Sequence, residues 1–110
     1  MTDCTIGAWW VVRFEEHPEY EFLFGTVMQD DRGRFRPREW VFSSYVVEKS
    51  APGAEPRWMK TVNGTRYILQ GRGREDTVPL RYARGLRAGF DPETVRNLEA
   101  KGFQFRKGDE

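Results

Sequence analysis

GRFRPREWVFSSYVVEKSAPGAEPRWMKTVNGTRYILQGRG, Gly33 to Gly73, is the stretch that decides the fold. Trp40 to Glu48 is dense in β-branched and aromatic residues and reads as one strand with both faces partly buried, as in a central strand or a barrel wall. Lys49 to Pro56 carries two prolines and Ala-Pro-Gly, which forbid regular pairing, so it reads as a loop. Arg57 to Val62 and Thr65 to Gln70 then form a hairpin closed by Asn63-Gly64. That dipeptide supplies the positive φ that a two-residue type I′ turn needs at both central positions. Gly71-Arg72-Gly73-Arg74 ends the strand.

Working outward, Thr5 to Phe14 is rich in Trp, Val and Phe and predicts a first strand, with Gly7 marking a bulge or a close backbone approach. Glu15 to Tyr20 is polar, contains Pro18 and reads as a loop. Glu21 to Gln29 predicts a second strand antiparallel to the first, with Phe22, Phe24, Thr26 and Met28 on one face. Asp30 to Pro37 is a turn-rich link. Leu80 to Leu86 reads as a short helical turn. Asp91 to Gly102 is a helix with its signals in place: an Asp91 N-cap, Pro92 at the first helical position, Glu93 at the positive end of the helix dipole, a Phe90–Val95 staple and Gly102 beyond the last turn. Phe103 and Phe105 suggest a last short strand. The expected fold class is α+β, mainly β: a curled or barrel-like antiparallel sheet of about five strands in the order β-β-β-β-β-α, with one C-terminal helix. The 110 residues are expected to form a single domain, 1–110.

Aromatics make up 15% of the residues, so rings must carry much of the core. Cys4 is the lone cysteine, which excludes an internal disulfide and fits a reducing, cytoplasmic setting. No charged and apolar leader pattern and no apolar run of about 20 residues is present, so neither a secretory signal nor a membrane span is expected. The Asn63-Gly64-Thr65 sequon carries no weight without secretion.

The net charge of +1 points to no particular partner, but its distribution is uneven. Residues 1–31 hold seven carboxylates against Arg13, whereas residues 32–74 hold ten basic groups against Glu39, Glu48 and Glu55. Either acidic and basic strands lie side by side and cross-pair, or the middle of the chain presents a basic binding face. Arg32, Arg34, Arg36 and Arg38 recur at strand spacing, which would project four guanidinium groups from one side, beside Phe35 and Trp40. Arg72 and Arg74 would extend that stripe if the hairpin lies alongside. Arginine interleaved with aromatic rings suits single-stranded nucleic acid, through phosphate contact and base stacking, or an acidic protein surface. A solvated turn paired to Glu15, Glu16, Glu19 and Glu21 is the plainer alternative.

Other chemistry is poorly supported. Ser43 and Ser44 lack a nucleophile-elbow context, and Ser-Ser inside an apolar strand more often satisfies cross-strand hydrogen bonds. His17 is the single histidine, too few ligands for a metal site in an acidic loop. Gly71–Arg74 lacks the Lys-Ser/Thr and following helix of a phosphate loop. No cofactor and no catalytic residue is expected. Of the adjacent Trp9 and Trp10, one ring should enter the core, and the other should either pack under a second layer or stand as an interface anchor.

The pattern Gly33-x-Phe35-x-Pro37-x-x-Trp40-Val41-x-Ser43-Ser44, joined by Thr61-x-Asn63-x-x-x-Tyr67-x-Leu69-x-Gly71-x-Gly73, resembles an uncharacterised family of small bacterial proteins found near prophages and mobile elements. The resemblance covers the middle third of the chain. It implies an accessory protein of a bacterium or its phage. The expected function is non-catalytic: a small accessory or inhibitor protein that binds and occludes a larger host protein, with a defence-system nuclease complex as one target in the manner of an anti-CRISPR. The alternative is a nucleic-acid-binding module using the arginine/aromatic face. A homodimer through an edge strand is a further option, and no membrane partner is expected.

Overall fold

A long hairpin organises the molecule. In the computed structural model, which describes residues 2–31, 33, 36 and 38–103, strand β1 (Thr2–Phe14) pairs antiparallel with β2 (His17–Asp30). Only Glu15 and Glu16 separate them, so the expected loop over Glu15 to Tyr20 is largely strand. Pro18 is accommodated because the ladder slips between Val12 and Phe14, where no regular amide donor is required.

The expected third strand, Trp40 to Glu48, is two strands: β3 (Trp40–Phe42) beside β2, and β4 (Val46–Lys49) beside β5 (Arg57–Thr61). Ser43 makes the break. Its Oγ accepts from the Leu23 amide at 2.9 Å and donates to the Ser44 carbonyl at 2.7 Å, so the corner supplies its own hydrogen bonds where pairing stops. β5 pairs with β6 (Thr65–Leu69) as a hairpin. Its turn differs from expectation: Lys60 faces Arg66, leaving three residues, Val62 to Gly64, beyond a Thr61–Thr65 pair. Gly64 has φ +89 whereas Asn63 is not among the positive-φ residues, which is the three-residue loop with glycine at its last position.

Strand order is β3-β2-β1-β6-β5-β4, with β7 (Arg74–Val78) added to β1. The sheet is therefore mixed: β6 runs parallel to the first half of β1 and β7 parallel to the second half. Among the described residues there are seven strands and two short helices, α1 (Ala83–Arg87) and α2 (Pro92–Ala100), with a 3-10 turn at Leu80–Tyr82, against the expected five strands and one helix. The sheet is open in its hydrogen bonds yet curled. Laid flat, β3 and β4 would stand about 24 Å apart at a strand spacing of about 4.8 Å. The three-residue link between them reaches at most about 14 Å. The two edges must therefore approach, and side chains bridge the gap: Lys49 pairs with Glu21, and the Tyr20 and Tyr45 rings sit 5.1 Å apart.

Curling creates two cores. Cys4, Ile6, Trp9, Val11, Leu23, Val27, Met59, Tyr67 and Leu69 fill the inside of the roll. Val12, Phe14, Phe24, Val78, Leu86 and Val95 form a second core outside it, where the helices cover the hairpin. A bulge at Gly7–Trp10, with Ala8 at φ +46, decides which side chain goes where. Inward positions are even before it (Cys4, Ile6) and odd after it (Trp9, Val11), so Trp9 enters the roll and Trp10 packs against the outer core. The second-layer reading of the tryptophan pair is thus the one observed.

α2 matches its signals. Asp91 accepts from the Thr94 amide at 2.8 Å, Pro92 opens the helix, and Phe103 and Gly102 amides bond back to Leu98 and Glu99 carbonyls around Gly102 at φ +90. The last strand suggested by Phe103 and Phe105 reaches residue 105, outside the described residues.

Candidate functional site

β6 ends at Leu69 and β7 begins at Arg74, both on the same edge of β1, so the link between them crosses the β1 bulge. Trp9 fills that crossing. Its Nε1–H donates to the Gly71 carbonyl at 3.2 Å, and a Cβ on Gly73 would lie 2.2 Å from its ring. Guanidinium groups flank the two tryptophans: Arg57 lies 5.1 Å over the Trp9 ring and Arg74 5.1 Å over Trp10. Arg74 also pairs with Glu93 at 2.9 Å.

Two cavities open either side of this link. One, of about 500 Å³, is lined by Trp9, Leu69, Arg57, Arg72 and Arg74 together with Glu55 and Glu75. The other, of about 440 Å³, shares Trp9, Arg72 and Arg74 and adds Trp10, Phe24, Thr26, Asp91 and Glu93. Trp40 lies outside both cavities, in a recess with Glu39, Val41 and Phe42, and its ring stacks on Phe24 of the second cavity at 6.4 Å with planes 9° apart. Its other neighbour is the Gly89 turn, where a Cβ would meet the indole Nε1 at 2.6 Å. Trp40 is still 42% exposed, enough to offer an edge to a partner.

Of the expected site residues, the structure thus gathers Arg72 and Arg74 in the two cavities, with Trp40 stacked on Phe24 at the edge of the second. Arg36 and Arg38 are exposed on the segment leading into β3, while Arg32 and Arg34, with Phe35, lie outside the described residues. At Arg38 the strand spacing of the stripe is not kept. β3 begins only at Trp40, and Arg38 adopts φ +75, which breaks the two-residue alternation the stripe needs. That backbone lets Arg38 and Glu39 straddle Val27, through Arg38 N–H to Val27 O and Val27 N–H to Glu39 O. Sequence reasoning missed Arg57, Glu55 and Glu93. For Arg57 the signal was present: it pairs with Leu69, one residue from the register a two-residue turn would give.

Cross-pairing explains part of the charge asymmetry. Arg66 grips Asp3 with two hydrogen bonds, at 2.9 and 2.7 Å, and Lys49 meets Glu21, which Arg13 also contacts. Arg36, Arg38, Arg57 and Arg72 make no ion pair with a described residue. His17 is exposed, its Nδ1 3.8 Å from Glu19, and no cluster of three His, Cys, Asp or Glu able to hold a metal occurs among the described residues. No helix of the described residues is long and apolar enough to cross a membrane.

Two carboxylates are tuned by these contacts. The Arg66 hydrogen bonds hold Asp3 below the usual carboxylate range, and Arg81 does the same for Glu99, helped by the Tyr82 hydroxyl. A carboxylate whose native pKa lies below its unfolded value stabilises the fold above the unfolded pKa and loses that contribution as pH falls through the native one. Thermal midpoints should therefore hold down to the unfolded carboxylate values, roughly pH 4, and decline below them. In Asp3→Asn the acid-side decline should be shallower than in the parent chain, a difference that calorimetry between pH 2.5 and 7 reads directly.

Comparison of the chain with protein-family models, with curated proteins and with solved structures yields no match.

Proposed function

We propose that this chain is a non-catalytic binding protein, a small accessory or inhibitor that docks on and occludes a larger host protein. The docking face on this reading centres on Arg72 and Arg74 around the Gly71–Gly73 link and takes in the exposed Trp40, Arg36 and Arg38. The observation that carries this reading is the charge mixture of the two cavities: Arg57, Arg72 and Arg74 alternate with Glu55, Glu75, Asp91 and Glu93. A nucleic-acid backbone presents unbroken negative charge, about one per 1.7 Å of duplex axis, and would meet those carboxylates. A protein surface can mirror a mixed pattern, and half-exposed tryptophan and arginine are the residue types that anchor protein interfaces. The kinship with mobile-element proteins that the sequence suggests is consistent with an accessory role and adds no residue to it.

Affinity capture on the native host's proteins, followed by reconstitution of the recovered pair, tests the reading. We expect one partner at fixed stoichiometry, with affinity at least about tenfold weaker for Arg72→Glu combined with Arg36→Glu, the loss of about one charge-assisted contact. Both side chains are exposed, so the variant's own stability should change by no more than about 0.5 kcal/mol per site. No specific partner, or an oligonucleotide complex that weakens steeply with salt in its place, overturns it.

A further inference from the structure

A further recess lies on the outer face, away from the Gly71–Gly73 link. It measures about 320 Å³, at the small end of ligand pockets, and is bordered by three separate pieces of chain: the β1–β2 hairpin end, the Phe42–Tyr45 corner, and the Leu80–Arg87 helical segment. Its floor is a ring cluster. Phe14, Phe22 and Phe42 lie 5.3 to 6.3 Å apart by centroid, and the Tyr20–Tyr45 pair forms one wall. Phe22 and Phe42 are only half-buried, and Leu80 and Tyr20 are more than 40% exposed, so this apolar surface is open.

Among the described lining side chains Arg87, from the last turn of α1, is the one fixed charge; His17 also lines the recess, and the nearby carboxylates are already engaged at the rim, Glu19 beside His17 Nδ1 and Glu16 on the Leu80 amide. Arg87 makes no ion pair with any described residue, unlike Arg81, which Glu99 holds with two hydrogen bonds. A guanidinium without a counter-ion, beside a floor of flat rings, complements a planar apolar body that ends in an anion.

We propose that this recess is a binding site for a small aromatic carboxylate, with the ring laid on Phe22 and Phe42 and the carboxylate taken by Arg87. It shares no lining residue with the two cavities beside the Gly71–Gly73 link, where Arg72 lies. The recess is open to solvent, and its volume of about 320 Å³ matches a single one- or two-ring molecule, which favours a free small molecule over a broad partner surface.

Titration of the full chain with 2-naphthoate, followed by amide and aromatic-ring chemical shifts, tests the assignment. We expect saturable shifts confined to Phe22, Phe42, Tyr45 and the α1 amides, with Kd below about 1 mM for a ligand of this size. Naphthalene-2-methanol, which keeps the ring and lacks the charge, should bind about tenfold more weakly, and Arg87→Gln should weaken naphthoate by a similar factor. Arg72→Gln should leave it unchanged. Equal affinity for the alcohol and the acid, an unaltered Kd in Arg87→Gln, shifts that map elsewhere, or no shifts up to 5-fold beyond the expected Kd each overturn the proposal. Uptake of an aromatic–acidic peptide without uptake of naphthoate overturns it too, and assigns the recess to a protein partner.

Discussion

Gly73→Ala should cost at least about 3 kcal/mol, at the top of the range for a forced fit into a packed core. The residue is not in the left-handed region, so the cost comes from space alone. A Cβ there would lie 2.2 Å from Trp9 Cδ2 and Cε3 and 2.3 Å from Cζ3. The ring cannot step aside. It is 4% exposed, its Nε1–H is bonded to the Gly71 carbonyl, and Arg57 lies over it. Two other glycines serve as internal controls. At Gly7 a Cβ would meet the flexible Met28 side chain at 3.4 Å, an ordinary contact, so Gly7→Ala should cost less than about 1 kcal/mol. At Gly71 nothing lies within 4 Å and only φ +76 resists, so Gly71→Ala should cost about 1–2 kcal/mol. Urea midpoints should fall from Gly7→Ala through Gly71→Ala to Gly73→Ala, and a Gly73→Ala midpoint equal to that of Gly7→Ala would show that the crossing is not packed as described.

The same clash predicts a strong coupling. Trp9→Leu removes the offending ring at its own cost, about 2–4 kcal/mol for lost burial and a residual cavity. On that background Gly73→Ala should become nearly neutral, giving a coupling energy of about 3 kcal/mol, the top of the range for residues in direct contact. Additive losses in the double variant would place the Gly73 penalty on some neighbour other than Trp9.

What could be read from the sequence is what is local. Asp91-Pro92 and Gly102 fix α2 because capping is decided within one turn, and Asn63-Gly64 fixes the β5–β6 hairpin because a turn is four residues. What could not be read depends on distant pairing. Arg74–Val78 looks like a charged link because an edge strand under a helix shows mostly exposed positions; its strand identity comes from lying parallel to β1, sixty-odd residues earlier in the chain. Trp40 to Glu48 looks like one strand because every residue in it favours extension. Only the demand that the two sheet edges meet, met by Ser43 capping the Leu23 amide, turns it into two. Trp9 and Trp10 are indistinguishable by composition, and the bulge that separates their fates sits at Ala8, a residue with no intrinsic preference for φ +46.

The candidate site divides the same way. Arg72 and Arg74 entered as an extension of the arginine stripe, and Trp40 as the ring beside it. Arg36 and Arg38 entered through a periodicity that the backbone does not keep. Glu93 and Asp91 were assigned to a helix start, which they form, but their position opposite Arg74 follows from where α2 packs, and that is set by Val95 and Leu86 meeting β1 and β7.

That packing supports the second large effect. Leu86→Ala should cost about 3–5 kcal/mol, the upper half of the usual range for emptying a leucine site. Leu86 is 0% exposed, in a cluster with Val12, Phe14, Val78 and Val95. α1 has five residues, far below the length at which a helix holds itself in water, so its shape is maintained by this contact and not by its own hydrogen bonds. The site cannot easily collapse, because one side is a sheet whose strands are already committed to the inner core. β1 sends Trp9 and Val11 inward and Trp10, Val12 and Phe14 outward, so a loss on the outer face is transmitted to the roll through the same strand. Unfolding of Leu86→Ala should therefore stay a single transition at a lower midpoint, with tryptophan fluorescence and far-ultraviolet dichroism changing together. Two separate transitions, helices first and the rolled sheet later, would mean that the cores are independent and that the shared strand does not couple them.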